Sequence, residues 1–260
     1  MRGCSCRGTA GFVHVSCLAE QAKILVAEAD ENNKDSQWHR WYKCSLCEQD
    51  YHGVVACALG WACWKTYLGR PETDEARRFA MNVLGVGLDA AKHYEDAMTV
   101  QEAELSMARR LGESEDAILS VQGSLAITYE ALGRKEHALS MQRDVYSGYL
   151  RLKCEEDKDT LLEANNYAAD LIDLKRFVEA RSLLRQTIPV AQRVLGEGHD
   201  ISLRLRWTYT QSLYLDPGAT LDDLHEAVTT LVDIKRTARR VLGGAHPTTE
   251  GIETLSLIHI

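Results

Sequence analysis

Small and large apolar residues recur at helical spacing, between charged positions, from about Pro71 to Pro247. The first three repeats carry a small residue twelve positions before an alanine, with large apolar residues beside it, and in the fourth repeat Thr210 replaces that small residue. These alanines are Ala97, Ala138, Ala180 and Ala227, with steps of 41, 42 and 47 residues, and the first three preceding small residues are Gly85, Ala126 and Ala168. The pattern predicts paired helices that each bury one face, because small side chains at both places let two helices cross closely.

Glycine and proline divide this region into short units. Leu132-Gly133-Arg134 predicts a turn inside the second unit, and the inserted Asp216–Thr220 segment accounts for the longest step. A coiled coil would not tolerate such interruptions in every unit. One helix pair cannot bury its face alone, so we expect an all-α, right-handed superhelix of tandem helix-turn-helix repeats.

Three stretches of sequence carry a family resemblance: Asn165–Ala168, Leu195–His199 and Leu242–His246. Over roughly residues 75–250 the chain resembles tetratricopeptide repeat proteins, specifically the long repeats of kinesin light chains. The resemblance implies a groove, lined by the first helix of each pair, that binds a protein or peptide partner. A motor-adaptor role would need a heptad segment, and the sequence shows none.

Aligning the repeats places a set of residues at equivalent groove positions. They are Asn82, Val86, Asp89, Ile127, Glu130, Asn165 and Trp207. The alternative for each position is a solvated helix face without a ligand. The acidic pair Asp89 and Glu130 indicates a basic partner.

The first 47 residues hold five of the eight cysteines. They form a C-x-C pair (Cys4, Cys6), an H-x-x-C pair (His14, Cys17) and a C-x-x-C pair (Cys44, Cys47). Closely spaced pairs of this kind supply two ligands each to a tetrahedral zinc ion. The alternative is unrelated cysteines that fill the core.

The order of these pairs resembles the RING-CH zinc finger of ubiquitin ligases. The resemblance implies one complete Zn²⁺ site made by Cys4, Cys6, Cys44 and Cys47. A second site would use His14 and Cys17 and lacks its opening C-x-x-C pair, so we expect that the natural chain begins earlier. Ser45 also replaces the proline common in the last pair of such fingers.

We therefore expect four segments along the chain. These are a partial RING-CH finger at 1–50, a linking helix at 51–70, four tetratricopeptide-like repeats at 71–254 and an artefactual tail at 255–260. A short strand-like tail is the alternative for the last segment.

Charge and hydropathy narrow the possible partners. A formal charge of −8 argues against nucleic acid and anionic membranes. The longest apolar run, Gly53–Trp64, is too short to span a bilayer, and the first residues lack the apolar core of a secretion signal. We expect an intracellular, cytoplasmic protein.

No phosphate-binding loop, nucleophile elbow or metalloprotease helix occurs in the sequence. The carboxylates fall among basic neighbours, as Glu102 and Glu104 do near Arg109, and are expected to be solvated. No catalytic residue is assigned. The sequence thus favours an interaction scaffold with a zinc-binding module. The alternative is a ubiquitin ligase, or a fragment of one, whose repeats select substrate while the finger recruits a ubiquitin-conjugating enzyme.

Overall fold

The computed structural model describes residues 14–31, 37–244 and 246–258, and it divides into two compact units, Met1–Leu132 and Gly133–Ile260. Regular structure in the described residues is helical, and one isolated antiparallel bridge joins Lys43 to Asp50. None of the described helices is long and apolar enough to cross a membrane.

The first unit contains five α-helices and a short 3-10 helix at Trp38–Trp41 among its described residues. The α-helices are α1 (Val15–Glu31), α2 (Gly53–Tyr67), α3 (Glu75–Ala90), α4 (Tyr94–Leu111) and α5 (Glu115–Ala131). Local signals set their ends. Asp74 accepts from the Ala76 amide (2.8 Å) and begins α3. Gly112 ends α4 in the left-handed region at φ 67°, a conformation that glycine adopts without strain.

The core of the first unit is built around Trp41, whose side chain is fully buried. Val26 of α1, Cys63 and Tyr67 of α2 and Ala80 of α3 pack in the same cluster. The segment that carries the Cys44–Cys47 pair is therefore anchored by the tryptophan just before it. Burial also strongly raises the pKa of the Cys63 thiol, as expected of a packing residue.

Helices α2 and α3 approach each other closely at two glycines. A Cβ atom on Gly60 would lie 2.9 Å from the Val83 carbonyl oxygen, and one on Gly87 would lie 2.7 Å from the Ala56 carbonyl oxygen. Side chains larger than hydrogen would force the backbones apart. α2 is thus packed tightly against the first helix of the repeat region.

The second unit contains six described helices. They are α6 (Lys135–Lys153), α7 (Lys158–Asp173), α8 (Phe177–Leu195), α9 (Asp200–Tyr214), α10 (Leu221–Val241) and α11 (Pro247–Ile258). Leu184, Leu205 and Leu213 are fully buried at the centre of its main cluster. The inserted turn before α10 is tied back to α8, because Arg181 donates to Asp216 (2.6 Å).

The small residues that define the sequence repeat are buried, as the pattern predicts. Ala97, Ala138 and Ala180 are 0% exposed and Ala227 is 2% exposed. The strand-like alternative for the tail is wrong, because the backbone is helical up to Ile258.

Candidate functional site

In the first unit, α5 packs beside α3 and is joined to it by a polar cluster. The Thr128 hydroxyl of α5 donates to Gln101 Oε1 of α4 (2.8 Å) and lies 3.2 Å from Asp89 Oδ1 of α3. Burial raises the pKa of the Asp89 carboxyl, and the hydrogen bond from Thr128 opposes that shift. This cluster fixes the register of the two helices.

Apolar side chains remain open to solvent on these two helices. Val86 of α3 is 47% exposed and Ile127 of α5 is 42% exposed. Asn82, Val86 and Asp89 are spaced at i, i+4 and i+7, so they share one face of α3. Ile127 precedes Thr128, which contacts Asp89, and Glu130 follows one turn later, partly buried. We call this surface, with Asn82, Val86, Asp89, Ile127 and Glu130, the α3–α5 face.

A cavity of about 330 Å³ lies between α3, α4 and α5 and reaches the α3–α5 face at Asn82. Phe79, Met107 and Val121 form its apolar walls. Charged residues sit around it: Glu75 in the first turn of α3, and the ion pair of Arg78 with Glu113 (3.0 Å).

Glu104 of α4 lines the cavity and is only 6% exposed. Burial raises the pKa of its carboxyl to about 7, and a hydrogen bond from the Asn82 amide partly offsets this. Among the described residues, its Oε2 has no hydrogen-bond partner. A buried carboxylate oxygen without a donor is costly, so it is a strong acceptor for any donor that enters.

The expectation that Glu104 is solvated is therefore wrong. The register of α4 explains its burial, because Ala97, Gln101, Glu104 and Ala108 follow at i, i+4, i+7 and i+11 and all are buried. The spacing of seven residues between Ala97 and Glu104 is the feature of the sequence that predicts a buried position for Glu104. Its neighbour Glu102 is exposed, as expected, and accepts from the Tyr129 hydroxyl (2.7 Å).

The two predicted groove residues of the second unit lie in helix packing. Asn165 is 5% exposed, and its Oδ1 accepts from the Thr208 hydroxyl (2.9 Å). Trp207 is partly buried against α10 and α11, in the cluster of Leu231, Ile234 and Ile252. Both side chains therefore serve contacts between helices, and the expected groove residues with exposed apolar side chains, Val86 and Ile127, are those of the first unit.

The zinc ligands predicted in the sequence are partly described. Cys44 and Cys47 lie in a tight hairpin turn, in which the Cys44 amide donates to the Gln49 carbonyl (2.9 Å) and the Glu48 amide donates to the Cys44 carbonyl (2.9 Å). Cys44 is buried and Cys47 partly so. His14 and Cys17 are exposed at the start of α1.

Cys4 and Cys6 fall outside the described residues. Within the part of the chain that is described, no three His, Cys, Asp or Glu side chains gather as a metal site. The described part of the expected complete zinc site therefore consists of the Cys44–Cys47 turn.

Comparison with known proteins identifies the repeat. Residues 164–200 match the tetratricopeptide repeat model. No curated protein matches the chain. Two crystal structures of a kinesin-light-chain-type protein of Podosopora anserina with nearly identical TPR-like repeats superpose with a TM-score of 0.54. They are 18% and 16% identical to this chain, and each match covers 88% of this chain and 98% of the other.

The fold is a tandem array of tetratricopeptide-type repeats. A further solved structure, the Rap protein complexed with Competence and Sporulation Factor, has a TM-score of 0.51 at 12% identity, covering 94% of this chain and 70% of that one. In the tetratricopeptide-type frame, α3, α5, α7 and α9 are the first helices of the four repeats. The α3–α5 face thus belongs to the first helices of two successive repeats.

Proposed function

We propose that this chain is a protein-binding scaffold whose α3–α5 face holds an extended segment of a protein partner. The observation that carries the proposal is the pair of exposed apolar side chains, Val86 and Ile127, on two helices tied together by the Thr128 cluster. Contiguous exposed apolar surface with a polar rim marks many interaction sites in proteins. Asn82 and Asp89 flank Val86 and supply polar groups for a peptide backbone.

The tetratricopeptide-type neighbours support this proposal. The Rap protein was solved in a complex, which indicates that a fold of this kind can accommodate a ligand. The formal charge of −8 and the carboxylates of Asp89 and Glu130 favour a segment with basic residues.

A selection from a random peptide display library on the full chain tests this function. Selected peptides are then synthesised, and their affinities are measured by fluorescence polarisation. We expect Ile127→Glu to weaken binding at least about tenfold, since a charge replaces an apolar contact. Val178→Glu is the matched control, because Val178 is 71% exposed on α8 in the other unit. Failure to select any peptide, or equal binding by both variants, would contradict the proposal.

We further propose that the N-terminal segment binds zinc through Cys44 and Cys47 together with Cys4 and Cys6. The hairpin that presents the first two thiols is the supporting observation. Zinc content per purified chain tests it: about one equivalent is expected for a single tetrahedral site. Cys44→Ser should lose the metal, whereas Cys154→Ser, at an exposed cysteine after α6, should keep it. Because a ubiquitin ligase of this type needs the same finger, absence of zinc would remove that alternative as well.

A further inference from the structure

The cavity beside Asn82 has the features of a built site rather than of a packing defect. Its floor holds a carboxylate that is 6% exposed, and among the described residues one oxygen of that carboxylate has no donor. Buried polar atoms in native proteins are nearly always hydrogen-bonded, so an acceptor of this kind calls for a donor from water, an ion or a ligand. The open acceptor and the cavity together indicate a ligand that brings a hydrogen-bond donor into an apolar space.

We propose that this cavity binds a lysine side chain of the segment held on the α3–α5 face, with Glu104 as the acceptor of its ammonium group. The proposal rests on the proposed function, because the lysine belongs to the same bound segment. It assigns a specificity pocket to Glu104, Asn82 and the apolar walls around them.

The shape of the lining fits a long stem with a charged end. Phe79, Met107 and Val121 offer apolar surface to the four methylene groups of lysine. Arginine binds carboxylates best through two oxygens at once, and one oxygen of Glu104 already accepts from Asn82. A single free oxygen suits a point charge. Further acceptors among the lining residues are the Asn82 carbonyl and the Ser120 hydroxyl.

The charges around the cavity also favour a cation. Arg78 is the basic residue of the lining, and its ion pair with Glu113 offsets its repulsion of an ammonium group. Glu75 adds an exposed carboxylate. Burial holds the pKa of Glu104 at about 7, so an incoming cation stabilises the ionised form that burial disfavours.

The peptide selection described above becomes a test of specificity when it is repeated on Glu104→Gln. For the wild-type chain we expect lysine to be enriched at one position of the selected peptides. Synthetic versions of the best peptide, with lysine, acetyl-lysine or arginine there, are then compared by fluorescence polarisation. We expect acetyl-lysine to bind at least about tenfold more weakly, since a charge-assisted hydrogen bond is lost. Glu104→Gln should remove this preference for lysine, and Glu95→Gln, an exposed carboxylate on the same helix, should retain it.

The outcomes separate this proposal from the proposed function. Peptides that depend on Ile127 but show no lysine preference would overturn the pocket and leave the scaffold intact. A preference that survives in Glu104→Gln would also overturn it. Failure to select any peptide would overturn both. Circular dichroism checks that Glu104→Gln is folded, and Ser120→Lys gives a second variant, expected to block the cavity and abolish the preference.

Discussion

The side-chain amide of Asn82 on α3 donates to the buried carboxylate of Glu104 on α4. One partner was predicted as a groove residue, and the other was expected to be solvated. The contact connects the α3–α5 face to a buried carboxylate of α4, the second helix of the first repeat. A ligand on that face could therefore interact with α4 as well. The contact also partly offsets the burial that raises the pKa of Glu104, and that pKa has consequences for stability.

The stability of the first unit should depend on the protonation of Glu104. Burial raises the pKa of Glu104 in the folded state from 4.5 to about 7. Between these values the folded protein keeps a proton that the unfolded chain releases, so the free energy of unfolding falls as pH rises. The full effect at pH 8 is about 3 kcal/mol. Glu104→Gln should remove this loss and be more stable than wild type at pH 8.

Urea unfolding at pH 5, 6, 7 and 8 measures this difference. Burial raises the pKa of Asp89 and Glu163 as well, so the informative quantity is the variant's change relative to wild type at each pH. Glu95→Gln should follow the wild-type pH dependence. Parallel curves for Glu104→Gln and wild type would show that Glu104 titrates normally.

The repeated alanines and the other small residues predicted the helical repeats correctly, because only small side chains fit where two helices cross closely. The burial of Glu104 could also be predicted, because its spacing of seven from Ala97 places it on the buried face, even though its charge and its basic neighbours favour a solvated position. Asn165 and Trp207 occupy the repeat positions expected from the alignment. Their side chains nevertheless pack between helices. This packing depends on which side chains of the neighbouring helices lie beside them, and the repeat pattern alone does not predict those contacts.

The close approach of α2 and α3 predicts a sharp difference between two nearby glycines. In Gly87→Ala the new Cβ would lie 2.7 Å from the Ala56 carbonyl oxygen, a backbone atom that cannot move alone. We expect a loss of about 1–3 kcal/mol in the free energy of unfolding from overpacking. Gly85→Ala is the comparison variant, since its Cβ would meet Cγ of the Gln101 side chain at 3.1 Å, a milder contact that a shift of a few tenths of an ångström relieves.

Thermal unfolding of both variants gives the comparison. Alanine raises helix propensity at either site, so Gly85→Ala should stay within about 1 kcal/mol of wild type. Equal stabilities for Gly87→Ala and Gly85→Ala would mean that α2 can move away from α3 without cost. The sequence repeat predicts a close helix crossing at Gly85. The tighter contact is at Gly87, and it could not be predicted from the repeat because it is made with α2, which lies outside the repeats.

Asp216 should stabilise the inserted turn of the second unit. It accepts from Arg181 of α8 (2.6 Å) and from the Gly218 amide (2.9 Å), and the Arg181 and Asp216 side chains are 16% and 17% exposed. Removing one charge leaves the partly buried Arg181 without its main partner. Asp216→Asn should lower the free energy of unfolding by about 1–3 kcal/mol. Asp222→Asn, at an exposed carboxylate of α10, should change it little, and an equal loss in both variants would point to net charge instead.

The contact between Trp207 and Gly251 should control how α11 docks on α9. A Cβ atom at Gly251 would lie 2.5 Å from Cη2 of Trp207, and the indole is held by Leu231, Ile234 and Ile252 around it. Gly251→Ala should therefore displace α11, even though alanine favours helix, because the indole ring is surrounded by these side chains and cannot move away.

Amide hydrogen exchange over residues 248–254 should become faster, and the emission of Trp207 should shift to the red as its ring meets water. The other four tryptophans precede residue 65, in the first unit. A red shift of the emission together with faster hydrogen exchange only in the second unit would therefore be assigned to Trp207. Gly244→Ala is the control, since nothing lies within 4 Å of a Cβ there. Unchanged exchange in Gly251→Ala would mean that α11 is not held by this contact, and the role of Trp207 as a packing residue would then have to be withdrawn.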